Sequence, residues 1–436
     1  MDKFESIAAR IGQLRPARYF GTVTGIGAGL VRVAGLGAHA AIGDRVALDC
    51  DGPAGEVVAL DRDHAHVLPE SSVDGLSVGA PAELLFAPRL APCDGWIGRI
   101  VDPLGRPLDG RALPQGRTRR EYDARPPAAV TRKRLGARLD TGLAVFDTLL
   151  PVVRGQRIGL FAGSGVGKST LLSKLARGIT ADVVVIALIG ERGRELREFT
   201  EDVLGPEGMA RAVVIAATSD ESPLIRRRCA GAAMAVAEHF RDRGHHVLLL
   251  ADSLTRFAEA HREIALAAGE HASSRGFPPS TAHLIMSLAE RAGPGAQGAG
   301  DITAIFSVLV AGSDMDEPIA DITRGVLDGH IVLDRAIAER GRFPAVDVLR
   351  SVSRALPGAA DAAENALIGR ARAALGSYAE SELMIRAGLY APGADPALDE
   401  AVRLYPGLDA FVATDSPGGC ADSFAALSRA LRPARP

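Results

Sequence analysis

The sequence predicts an α/β fold: a P-loop parallel-sheet core with a small N-terminal β-barrel and a C-terminal helical domain. Three observations predict it. Strand and helix patterns alternate from about Gln156 to Leu333, as in a parallel sheet covered on both faces. Short Val-, Ile- and Ala-rich segments, separated by Gly, Asp and Pro, fill Tyr19 to about Leu90, as in a small antiparallel barrel. Beyond about Pro357 the chain is alanine-rich with helical spacing. At 436 residues it exceeds one ordinary core. Expected units are a helix over 1–18, the barrel over 19–95, the P-loop domain over 96–357 and the helical domain over 358–436.

Each element has its own warrant. Phe4, Ile7, Ala8, Ile11 and Leu14 recur at helical spacing with Arg10, Arg15 and Arg18 nearby, an amphipathic helix that docks on a partner, a membrane surface or its own protein. Barrel strands are expected at Gly21–Ile26, Gly29–Val33, Arg45–Leu48, Glu56–Leu60 and His64–Leu68. Pro114–Arg134 is rich in Pro and Arg and reads as a linker. Core strands are expected at 157–162, 183–189, 212–217, 246–251 and 302–310, with helices at 168–179, 223–243, 254–268 and 281–291. Gly293–Gly300 reads as a flexible loop, and the C-terminal helices are expected to break at Gly388, Pro392 and Pro406.

Composition limits the function classes. Apolar content of 47% with 24% charged residues describes a soluble globular chain. A formal net charge of −3 supplies no global field for nucleic acid or anionic lipid. Cys50, Cys93, Cys229 and Cys420 form no CxxC pair, so neither a zinc site nor a disulfide framework is indicated. No apolar run approaches the ~18 residues of a membrane span, and the N-terminus lacks a signal-peptide pattern. A cytoplasmic protein is expected.

The chemistry concentrates in Ile158–Leu172, where an apolar strand enters the run Ala162-Gly163-Ser164-Gly165-Val166-Gly167-Lys168-Ser169-Thr170. Such a loop turns successive backbone N–H groups toward an anion, and the helix N-terminus adds its positive end. Gly163 to Thr170 would cradle a nucleoside triphosphate, with Lys168 on the β- and γ-phosphates and the Ser169 hydroxyl on Mg²⁺. Ala162 stands where the strict motif has glycine. The chain uses arginine almost everywhere, its lysines being Lys3, Lys133, Lys168 and Lys174, so a lysine at the motif position is not drift. Ligands in open parallel sheets sit beyond the carboxyl ends of the strands. Two such ends carry carboxylates: Asp252, placed to support Mg²⁺, and Glu191, placed to polarise a water.

With the runs Leu188–Phe199, Ala217–Leu224, Asp252–Phe257, Pro318–Asp321, Leu327–Leu333 and Phe343–Leu349, the chain resembles the hexameric ATPases of type III protein export. These are relatives of the rotary ATP synthase α and β subunits, with a RecA-like core. Ala162–Ser169 is similar to the P-loop of the flagellum-specific branch, which makes Ala162 a habit of that branch. The resemblance implies ATP and Mg²⁺ as ligands and hydrolysis in a homohexameric ring that drives release, unfolding and export of substrates. By position it implies that Glu191 activates water, with Arg192 and Glu195 near phosphate and metal-bound water. Asp252 would support Mg²⁺ with Arg256 following it, and Phe343 would stack on adenine. Arg354 would be an arginine finger reaching the neighbouring subunit's site.

The same resemblance implies further partners: a regulatory stalk protein at the N-terminal helix, the export gate, and chaperone–cargo complexes at the C-terminal domain. It implies a protein peripheral to the inner-membrane export apparatus and a pore-facing loop near Gly293–Gly300. Competing readings are an injectisome-type ATPase, a subunit of a rotary proton-translocating ATP synthase, and a ring helicase. Glu191 argues against a non-catalytic rotary subunit, and the barrel lacks the basic, aromatic surface of a nucleic-acid motor. No nucleic-acid partner is expected.

Overall fold

The computed structural model describes residues 17–27, 29–50, 52–273, 276–310 and 315–432. The expected N-terminal amphipathic helix lies outside the described residues, apart from its last two positions. Six antiparallel strands close into a barrel in the order Phe20–Gly27, Leu30–Ala34, His64–Pro69, Ala54–Leu60, Arg45–Leu48, Pro81–Phe86. The alternation seen in the sequence has its physical cause here: Val31, Val33, Val46, Leu48, Val67, Ala82 and Leu84 point inward and are buried. Closure leaves the barrel no open edge to pair with another chain.

The segment after the barrel is a strap. Trp96 is fully buried, and its indole N–H donates to the Pro114 carbonyl at 2.7 Å. Arg99–Val101 then pairs in parallel with Ala212–Thr218 and becomes one edge of the central sheet. Three residues are too few to show a period, so composition did not reveal this strand. Farther on, Tyr122 lies over the helix Pro223–Asp242, where a side chain at Gly231 would meet the Tyr122 carbonyl at 3.0 Å.

Among the described residues the central sheet has nine strands. Eight run in the order Val346–Ser353, Gly329–Leu333, Arg157–Ala162, Asp301–Leu309, His246–Asp252, Val183–Glu191, Ala212–Thr218, Arg99–Val101, and Gly293–Pro294 pairs beside Asp301–Leu309. Val183 to Gly190 is buried throughout, the near-continuous apolar run of a strand covered on both faces. One face packs on the P-loop helix Lys168–Gly178 and the C-terminal helices. The other packs on Pro223–Asp242, Leu254–Ala267 and Ser280–Arg291.

Two expectations are corrected. Gly293–Gly300 is a packed turn: Gly295 N–H donates to Asp301 Oδ1 at 3.1 Å, and Lys133 bonds both the Gly295 and Ala299 carbonyls. A Cβ at Gly300 would stand 1.8 Å from the His245 carbonyl oxygen, so glycine serves close approach here, not mobility. It also precedes the strand Asp301–Leu309, at the edge opposite the P-loop. Pro406 lies inside the helix Pro396–Val412 and does not break it. Leu404, Leu408 and Phe411 are buried on either side, and that packing offsets the lost N–H bond. The other C-terminal helices are Ala362–Arg386, opened by an Asp361–Glu364 capping box, and Gly419–Ala430.

Candidate active site

The site forms at the carboxyl edge of the sheet because four neighbouring strands, Arg157–Ala162, Asp301–Leu309, His246–Asp252 and Val183–Glu191, end there. Arg157–Ala162 runs into the P-loop, with Ala162 fully buried and in register with Leu309 and Leu333. A methyl group fits that core position, which accounts for alanine at the motif's first residue. Gly165 and Gly167 have φ of 77° and 86°, left-handed conformations in which a side chain is strained. They let the loop curl before Lys168 opens an eleven-residue helix.

Lys168 Nζ is ion-paired with Asp252 and lies 3.9 Å from Glu191 Oε1. Asp252 is buried at the end of His246–Asp252, and Ser307 Oγ on the adjacent strand donates to its Oδ1 at 2.6 Å. Glu191 ends Val183–Glu191 after Gly190, whose φ is 68°, and its carbonyl accepts the Ser219 N–H at 3.0 Å. Burial pushes the Glu191 carboxyl up to about 7; the hydrogen bond with Glu195 and the charge of Asp252 add to this, and Lys168 opposes it. A carboxyl in that range is suited to taking a proton near neutral pH.

Glu195, in the first turn of Gly193–Glu198, accepts from Arg192 at 3.4 Å, and Arg192 is largely exposed at the cleft mouth. Phe343 is half-exposed with its ring against the P-loop: a Cβ on Gly167 would stand 3.2 Å from it. Ser169 and Thr170 line the same recess as Glu191, Glu195 and Asp252. The main cleft, about 940 Å³, runs from Gly163 past Lys168 and Glu191 to Arg256. Triphosphate fits it: a glycine cradle and one half-buried ammonium, with the Phe343 ring against the loop at Gly167.

Among the described residues no cluster of three or more His, Cys, Asp or Glu is arranged to hold a metal alone. The donor set is a hydroxyl and one or two carboxylates, which suits Mg²⁺, an ion that keeps waters and shares substrate phosphates. The structure thus gathers Lys168, Ser169, Glu191, Arg192, Glu195, Asp252 and Phe343. Arg354 stands apart. Leu333 is in register with Ala162 at the P-loop edge, and Gly329, four residues earlier, with Ser353. Arg354 therefore lies about 13 Å away along the sheet, at the opposite edge from its own P-loop.

Sequence reasoning missed Ser307 and Arg226. Ser307 is a hydroxyl inside an otherwise apolar buried strand, which needs a partner, and that was the available signal. Arg226 lines the cleft from the first turns of Pro223–Asp242 and carries no motif of its own.

Comparison with known proteins follows the same residues. The nucleotide-binding domain of the ATP synthase alpha/beta family matches 142–353, and the T3SS EscN ATPase C-terminal domain matches 360–428. The chain is 46% identical to a flagellum-specific ATP synthase of Caulobacter vibrioides, over 98% of this chain and 99% of that one. It is 45% identical to the SPI-2 type 3 secretion system ATPase of Salmonella typhimurium, over 82% of each. It superposes with a TM-score of 0.86 on the assembled ATPase EscN in complex with its central stalk EscO, from enteropathogenic E. coli. That alignment has 36% identity and covers 94% of this chain and all of EscN. The chain therefore belongs to the ATP synthase alpha/beta family, in the branch of flagellum-specific ATP synthases and type III export ATPases.

Proposed function

We propose that the protein is the ATPase of a flagellar type III export apparatus, hydrolysing Mg·ATP in a homohexameric ring to drive release and unfolding of exported proteins. One observation carries the reading: Lys168, Glu191 and Asp252 converge beside Phe343 at the P-loop edge, while Arg354 projects from the far edge of the same sheet. A protomer so built has a pocket on one side and, on the other, an arginine whose guanidinium reaches only the Arg324 carbonyl among the described residues, at 3.5 Å. A ring brings them together.

In that site the P-loop amides and Lys168 hold the β- and γ-phosphates, and Phe343 stacks on the adenine. Mg²⁺, held by Ser169 with Asp252 and, through water, Glu195, would neutralise charge on the phosphate oxygens. Glu191 accepts a proton from water as its oxygen attacks the γ-phosphorus, the bond to the β-bridging oxygen breaks, and ADP leaves. Arg192 lies at the cleft mouth near the phosphates. Arg354 of the adjoining subunit meets charge developing on the equatorial oxygens, an effect of ~10³–10⁵ in rate.

EscN's assembly with a central stalk supports a ring and a stalk partner for this chain. Contacts with the export gate and chaperone–cargo complexes belong to the same proposal. So does a cytoplasmic position at the inner-membrane apparatus; no helix among the described residues is long and apolar enough to cross a membrane. The Salmonella relative supports a second reading, injectisome duty. Deleting the gene distinguishes them: loss of flagellar filaments supports the first, and intact motility with lost effector secretion supports the second. Glu191→Gln tests the site itself. It should bind Mg·ATP normally while turnover falls ~10²-fold or more; undiminished turnover removes Glu191 from the mechanism.

A further inference from the structure

The barrel is joined to the core by a buried ion network whose core end touches the hydrolysis site. Glu56 and Glu70 are barrel residues, on or next to the strands Ala54–Leu60 and His64–Pro69. Arg45 makes two hydrogen bonds to Glu70, at 2.9 and 2.6 Å. Arg228, from the helix Pro223–Asp242, bonds both Glu70 and Glu56, and Arg227 bonds Glu56. Glu56 and Arg228 are 3% and 7% exposed, so no water replaces a lost partner easily.

The next residue toward the site is Arg226. Its Nη2 donates to Glu263 at 3.0 Å and its Nε to the Glu221 carbonyl at 3.0 Å. Its Cδ lies 3.5 Å from where a side chain on Gly190 would begin, with Arg256 Cβ at 3.4 Å beside it. Gly190 is the left-handed residue that aims Glu191. From the same helix approach, Ser219 N–H holds the Glu191 carbonyl. A displacement at Glu56 thus reaches Glu191 through three consecutive arginines on one helical turn, with no flexible segment between.

We propose that Glu56 is a positioning residue for hydrolysis: through Arg227 and Arg228 it fixes the start of Pro223–Asp242, so that Arg226 and Ser219 hold the Gly190–Glu191 turn. This rests on the reading of Glu191 as the residue that activates water.

Steady-state kinetics on the assembled full-length protein tests it. Glu56→Gln should lower kcat ~10-fold while KM for Mg·ATP and nucleotide affinity change less than ~2-fold. Arg226→Met leaves the buried network intact, so it keeps the test decisive should Glu56→Gln fail to fold; it should show the same kcat-only loss. Adding Glu56→Gln to Arg226→Met should cost less than ~2-fold more, because both act through one turn. Asp242→Asn breaks an ion pair with Arg120 at the far end of the same helix and should leave kcat unchanged. Wild-type kcat in Glu56→Gln and Arg226→Met, fully multiplicative losses, or an equal loss in Asp242→Asn each overturns the proposal. Full turnover in Glu191→Gln would instead remove the reading beneath it.

Discussion

At the residue scale, charge crowding explains the site. Two carboxylates face one ammonium at Lys168, and Ser307 supplies the hydroxyl that keeps Asp252 in place. A hydrogen bond to a buried carboxylate contributes about 1.5–3 kcal/mol. Ser307→Ala should therefore cost ~10-fold in kcat and raise the Mg²⁺ concentration needed for half-maximal rate, read by titrating Mg²⁺ at fixed ATP. An unchanged Mg²⁺ profile would show that Asp252 holds its place without Ser307. Phe343 makes a different prediction, since its ring packs against the P-loop at Gly167. Stacking a base is worth about 1–3 kcal/mol, so Phe343→Ala should raise KM for ATP ~10-fold and leave kcat nearly alone. A fall in kcat at unchanged KM would place the ring elsewhere in the cycle.

At the element scale, the P-loop is a strand, a curl and a helix whose fit depends on backbone freedom at Gly165 and Gly167. Gly167→Ala strains a left-handed residue and drives a methyl to 3.2 Å from Phe343, so nucleotide affinity should fall at least ~10-fold with little change in melting temperature. Fluorescent-nucleotide titration beside a thermal melt checks both; unaltered affinity would mean the loop can re-curl. Long apolar strands and amphipathic helices were legible in the sequence because each carries its own period: the strand expected at 157–162 is found at Arg157–Ala162, and the helix at 223–243 spans Pro223–Asp242. Arg99–Val101 was not legible, because its evidence is pairing with a strand more than a hundred residues away. Gly293–Gly300 misled for the same reason: its glycines answer to the His245 and Gly300 carbonyls, which no local pattern reveals. The strand-end positions of the P-loop, Glu191 and Asp252 were legible in the sequence, whereas Arg226 and Ser307 acquire meaning only from neighbours in space.

At the scale of the whole molecule, two properties follow from what is buried and what is left unfinished. His239 and His261 are buried, and burial pushes each imidazole down to about 4 from an ordinary 6.5. Between pH 6.5 and 4 the unfolded chain binds protons that the folded chain refuses, so stability is full above 6.5 and falls as pH drops through that window. Each histidine contributes about 1–3 kcal/mol to the loss. His239→Asn should flatten the fall of melting temperature with acid, and an unchanged slope would mean that His239 protonates freely in the fold. The unfinished property is catalytic. Arg354 lies some 13 Å along the sheet from its own P-loop edge, so under the proposed mechanism a lone protomer would lack the guanidinium that completes the site. Arg354→Ala should keep nucleotide affinity and cost about 4–7 kcal/mol in the transition state, a 10³–10⁵-fold loss. Mixing Arg354→Ala with Glu191→Gln subunits separates the two geometries: some interfaces then join an intact Glu191 to an intact Arg354, and activity returns. Specific activity of the unmixed wild type should also rise with protein concentration as rings assemble. If mixed subunits stay inactive, or if specific activity is constant down to nanomolar protein, Arg354 does not act across the interface.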